Sequence, residues 1–174
     1  MVEDLDPQAF WEESEYADRE YTDAPATPEM VALVERTLGY TLPAAYVALA
    51  RTRNGGIPSR TAHRTAEPTS WASDHVAITG IYSIGSTRPY SLLGRFGSQF
   101  WIEEGEYPPI GVYFADCPSA GHDMLCLDYR ACGPTGEPSV VHVDQEFDYR
   151  ITFVAPDFAS FVRGLEPDDA FEID

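Results

Sequence analysis

Met30, Val31, Leu33, Val34 and Leu38 recur at helical spacing and give one apolar face to the segment opened by Thr27-Pro28-Glu29. Thr accepts hydrogen bonds from free backbone N–H groups, Pro suits the first helical position, and Glu29 complements the positive end of the dipole. Gly39 stands where a left-handed residue commonly ends a helix, so the pattern predicts a helix over 28–38. Leu42-Pro43 opens a second, with Tyr46, Val47, Leu49 and Ala50 as its buried stripe and Arg51 and Arg53 in its last turn. Asn54-Gly55-Gly56 reads as its C-terminal cap, since Asn and Gly tolerate positive φ.

Beyond Gly56 the pattern changes. Residues 57–74 are polar and punctuated by Pro, which predicts a long surface loop carrying His63, Arg64 and Trp71. Apolar and β-branched runs then predict strands at 76–84, 100–102, 111–114, 124–129, 140–143 and 150–154. Between the first two, Leu92, Leu93, Phe96 and Phe100 have helical spacing interrupted by Gly94 and Gly97, the signature of a short or broken helix. Pro156-Asp157 opens a last helix that buries Phe158, Phe161, Val162 and Leu165. The predicted fold is α+β: a largely antiparallel or mixed sheet of about six strands with two N-terminal helices and one C-terminal helix packed on one side.

At 174 residues and 44% hydrophobic content the chain suits one well-buried core. The expected organisation is an acidic leader over 1–26, anchored through Phe10, Trp11, Tyr16 and Tyr21, a single domain over 27–165, and an acidic tail over 166–174.

Several short motifs occur in a recognisable order. They are Glu35, Leu38-Gly39, Leu42-Pro43, Tyr46 and Asn54-Gly55-Gly56, then Pro108, Ala115 and the run 121–130, then a closing strand at 140–146 and the helix 158–165. In this the chain resembles the SUKH superfamily, which unites fungal Smi/Knr-type cell-wall-assembly regulators with bacterial immunity proteins of toxin systems. The resemblance implies a cytoplasmic, non-enzymatic binding module that neutralises a toxin domain such as a nuclease or deaminase. An intracellular regulatory scaffold is the alternative it leaves open.

Charge refines that expectation. The net charge of −18 argues against direct nucleic-acid binding, which needs clustered basic surface, and suits a basic protein partner. Residues 1–30 hold ten acids and one Arg, so much of the excess lies at an end, as solvated termini also would. The start of the chain is acidic, without the apolar run of a signal peptide, and no stretch suits a membrane helix. Three cysteines without paired zinc spacing point to reduced thiols in the cytosol.

Candidate chemistry is sparse. His122, Asp123, Cys126 and Asp128 are close in sequence, and a mixed metal site is conceivable, but zinc sites usually show close Cys or His pairs. His142 and Asp144, two apart on a strand, would share a face as an acid–base pair or, more commonly, a surface ion pair. A small hydrolase or metal enzyme built on His122, Cys126 or His142 is thus the third reading; no catalytic residue, metal or cofactor is expected. The expected partner-binding residues are Trp71, Trp101, Glu103, Glu104 and Glu106, with Asp144, Glu146 and Asp148 in a second acidic run. Aromatic anchors carry affinity, and acidic rims steer a cationic partner.

Overall fold

The computed structural model describes residues 2–171; Met1 of the leader and residues 172–174 of the expected tail lie outside the described residues. Two short helices, α1 (Pro7–Phe10) and α2 (Glu15–Glu20), come first, each with a side-chain cap, from Asp6 and Ser14. The helices α3 (Pro28–Leu38) and α4 (Ala44–Thr52) follow as the apolar spacing predicts. Thr27 caps α3 by accepting from the Met30 N–H, and Gly39 ends it at φ 84°. Glu35 reaches over this stop: its carboxylate accepts from the Leu42 N–H at 2.7 Å and fixes the entry to α4.

Asn54-Gly55-Gly56 is not a cap. Helix α4 closes at Arg53, which is extended and donates to the Leu49 carbonyl. Asn54, 2% exposed, instead ties three segments together. Its amide donates to the carbonyls of Ala24 and Ile84, and its oxygen accepts from the Ile84 N–H. Gly55 is required twice over: φ is 86°, and a Cβ would meet Ser83 N at 2.7 Å and Tyr21 O at 2.8 Å. The motif is the place where the leader docks.

The strands form two antiparallel sheets, five-stranded and three-stranded, where the sequence pattern predicts one sheet of about six. The small sheet has the order β2-β1-β8, from β1 (Ala62–Arg64), β2 (His75–Ala77) and β8 (Leu165–Glu166). The large one is a meander of β3 (Gly80–Ile81), β4 (Gly111–Asp116), β5 (Asp123–Asp128), β6 (Ser139–Asp144) and β7 (Arg150–Ala155). The run predicted as one strand at 76–84 changes sheets at Ile78-Thr79, where Ile78 donates to Thr61 and Thr79 to Asp116. Strand β8 crosses from the expected domain into the expected tail at Glu166, and Phe171 stacks on His75, so both of these tail residues pack on the domain.

Residues 100–102 are helical, within α5 (Ser98–Glu103), and not a strand. The reason is local: Phe96 and Phe100 are four apart and pack edge to face, and Ser98, 1% exposed, accepts from the Tyr113 N–H. That bond coincides with a register shift between Tyr113 and Ala115 in the β4–β5 ladder. Tyr113 packs on Tyr107 beside α5, whereas Phe114 meets Tyr46 of α4 and Phe158 and Phe161 of α6 (Phe158–Arg163). Both faces of the large sheet are therefore covered. Among the described residues no helix is long and apolar enough to cross a membrane.

The leader belongs to the core. Trp11 is 3% exposed and lies against Gly56, with the Cε3 of its ring 3.1 Å from where a Cβ would sit. Its indole N–H is buried without a partner among the described residues. Trp11→Ala should lower stability by about 3–5 kcal/mol, while Trp11→Phe should cost far less, because it keeps most of the packing and removes an unsatisfied donor. Urea unfolding midpoints read the difference; equal losses for the two variants would mean that the ring contributes through something other than packing.

Candidate functional site

A cavity of about 510 Å³ opens where α2, α5 and the β4–β5 turn meet. Its walls include Tyr16, Tyr90, Phe96, Phe100 and Trp101, and Asp116 stands among them at the end of β4. The aromatic wall is held from behind. Tyr90 stacks on Tyr21 at 4.7 Å between centroids, Phe100 packs edge to face on Trp101, and the Trp101 indole donates to Tyr82 Oη and the Phe96 carbonyl. Gly121 lets the turn approach, since a Cβ there would fall 2.7 Å from the Trp101 ring.

Asp116 accepts from the Tyr21 hydroxyl at 2.8 and 2.9 Å. Among the described residues it has no salt bridge. Burial pushes its carboxyl up to about 7, against the opposing pull of the Tyr21 hydrogen bond. A cation entering the cavity would draw it back to full ionisation. Aromatic faces and a carboxylate together favour a guanidinium or ammonium group.

The acidic residues expected from the sequence form one neighbourhood at this end of the sheet, with one exception. Glu103, Glu104 and Glu106 are exposed on and just after α5, which also carries Trp101. Glu146 and Asp148 are exposed in the β6–β7 turn. Tyr149 joins the two runs: its hydroxyl donates to the Gly105 carbonyl at 2.6 Å, and its ring meets Tyr107. Glu146 is paired with His122 Nδ1. Asp144 is the exception, a correction to the expected rim, because it is 1% exposed and accepts from the Ser70 N–H. That bond ties down the loop whose Trp71 is 41% exposed. Trp101 is half-buried and belongs to the cavity wall.

Behind the wall lies a second polar group of residues that spacing did not reveal. His142 is not part of a surface pair; it is fully buried, and its Nε2 lies 2.7 Å from Asp123 Oδ2. Cys117 is close to both, whereas Cys126 and Asp128 are not in this group. Asp128 is bound instead by Arg130. Burial works against ionisation of Asp123, yet hydrogen bonds from His142 and Ser119 hold its carboxyl below the usual range. Burial, reinforced by the carboxylates around it, drives the Cys117 thiol well above its ordinary value, the opposite of what a nucleophile needs.

The sequence reading missed Asp116 as a functional candidate, because one acid closing an apolar strand carries no local signal. Tyr16, Tyr90, Phe96 and Phe100 were legible as aromatics but not as one wall, since Tyr16 stands in the leader, far in sequence from the other three. Residues 25–164 match the SMI1 / KNR4 family (SUKH-1). The comparison with curated proteins gave no match.

Proposed function

This chain belongs to the SMI1 / KNR4 family (SUKH-1), and on that premise we propose that it is a non-enzymatic protein-binding module whose partner is a basic toxin domain, neutralised by direct contact. The observation that carries the reading is the aromatic cavity with the carboxylate of Asp116 inside it, held by Tyr21 and without a salt bridge among the described residues. A cationic side chain of the partner enters there, between ring faces that stack on a guanidinium and a carboxylate that neutralises it. Glu103, Glu104, Glu106, Glu146 and Asp148 form the outer acidic rim. Trp71 extends the contact from the anchored loop.

A standard interface covers roughly 800 Å² on each partner, enough to include both cavity and rim. The rim charges act mainly on encounter, and the desolvated cavity acts on lifetime. Pull-down with the product of the adjacent gene identifies the partner. Capture of a toxin with a basic domain supports neutralisation, whereas capture of a non-toxin regulator would favour a regulatory scaffold, the other role open to this family. With the partner in hand, the association rate should fall by at least ~10-fold between low and high salt. A rate indifferent to salt would remove the acidic rim from the account.

A further inference from the structure

Two carboxylates, one imidazole and one thiol meet behind the cavity wall, and their charges do not balance. Cys117 follows β4, Asp123 opens β5 and His142 lies on β6; one donor atom from each sits within 4.8 Å of the other two. The strand register sets Asp144 opposite Asp123, and His142, two residues earlier, shares its face. All four side chains are buried, none more than 3% exposed. Among the described residues no arginine pairs with either carboxylate. His142 serves Asp123, while Asp144 Oδ1 and His142 Nδ1 are buried with no hydrogen-bond partner among the described residues. An uncompensated buried carboxylate is costly, and a cation is what the group lacks.

We propose that Cys117, Asp123 and His142 form a binding site for a zinc-class divalent cation, with a water as the fourth donor and Asp144 on the neighbouring strand position opposite Asp123. The donor set is sulfur, oxygen and nitrogen, which suits zinc; magnesium and calcium take oxygen donors. A thiolate and one carboxylate neutralise the dication. Binding releases the Cys117 thiol proton to solvent, while the proton of the His142 ring is carried on Nδ1 as Nε2 takes the metal, so affinity rises with pH. Tetrahedral zinc sets its donors roughly 3.2–3.8 Å apart, so the group needs only modest contraction at its widest separation and a slight opening of the 2.7 Å His142–Asp123 contact. The ion pins the end of β4 to β5 and β6. It also steadies Cys117 and Gly121, which line the cavity.

The inference does not depend on the protein-binding reading. Its test is titration of the chelator-treated full chain with Co2+, followed by Zn2+. One equivalent of Co2+ should produce a sulfur-to-cobalt charge-transfer band, Zn2+ should displace it, and Zn2+ alone should raise the melting temperature. Cys117→Ser should abolish the band, and His142→Gln should weaken binding by at least ~100-fold, beyond the usual effect of residues that only support a ligand. If Cys117→Ser does not fold, the wild-type band and the His142→Gln affinity decide. A Cys132→Ser/His122→Ala background removes donors outside the site, one half-buried and one exposed, and should change nothing. The proposal is overturned by absence of the band at saturating Co2+, by its survival in Cys117→Ser, or by its loss in the Cys132→Ser/His122→Ala background.

Discussion

Asn54→Ala should be among the most destabilising single substitutions in this protein, lowering stability by about 4 kcal/mol, because it strands three backbone groups, two of them buried at a cost of about 1–3 kcal/mol each when unpaired. Those groups are the carbonyls of Ala24 and Ile84 and the Ile84 N–H. They belong to the leader and to the stretch after β3, so the loss extends beyond α4. The Asn54 carbonyl also receives the Asp23 N–H, and Thr22 Oγ1 donates to the Gly55 carbonyl; these backbone acceptors survive the substitution but lose the anchor that positions them. Asn54→Asp keeps the acceptor and removes both donated bonds, and it should fall between wild type and Asn54→Ala. Equilibrium urea unfolding reads the series. A cost below about 1 kcal/mol for Asn54→Ala, the level of a helix cap, would restore the capping interpretation.

Asp116→Asn should weaken partner binding by about 2–5 kcal/mol, from ~30-fold upward, while leaving the protein folded. Two facts separate the effects. Asparagine retains an oxygen to accept from Tyr21, so the packing around the Tyr21 ring persists. Among the described residues the carboxylate has no salt bridge, so its neutralisation strands no cation there. Glu103→Gln, an exposed change on the rim, should cost only a few-fold, mostly in association rate. Comparable losses at both positions would mean that binding reads net charge and not the cavity.

Much of the scaffold could be read before the fold was seen. The apolar spacing of Met30 to Leu38 set α3 correctly because capping and amphipathicity are local properties. The meander of β4 to β7 was legible for the same reason. Asn54-Gly55-Gly56 misled because positive-φ residues after a helix suit a cap and a docking loop equally, and the choice depends on Tyr21 and Ser83, far away in sequence. Phe100 to Ile102 misled because short apolar runs fit either period; Ser98 and its bond to Tyr113 settle it. Burial was the other quantity hidden from the pattern. Asp144 and His142 alternate as solvent-facing residues would, yet the 66–74 loop and the β4–β5 turn cover them. The cavity itself was illegible, because it forms only when the leader, α5 and the β4–β5 turn converge.

The central claim, that an acid-containing aromatic cavity receives a cationic side chain of a protein partner, is tested most directly by calorimetric titration of the partner captured by pull-down into wild type and Asp116→Asn, with melting temperatures of both proteins measured alongside. The account predicts tight one-to-one binding to wild type, a loss of at least ~30-fold in Asp116→Asn, and an unreduced melting temperature for the variant. Equal affinity for the two proteins would contradict it.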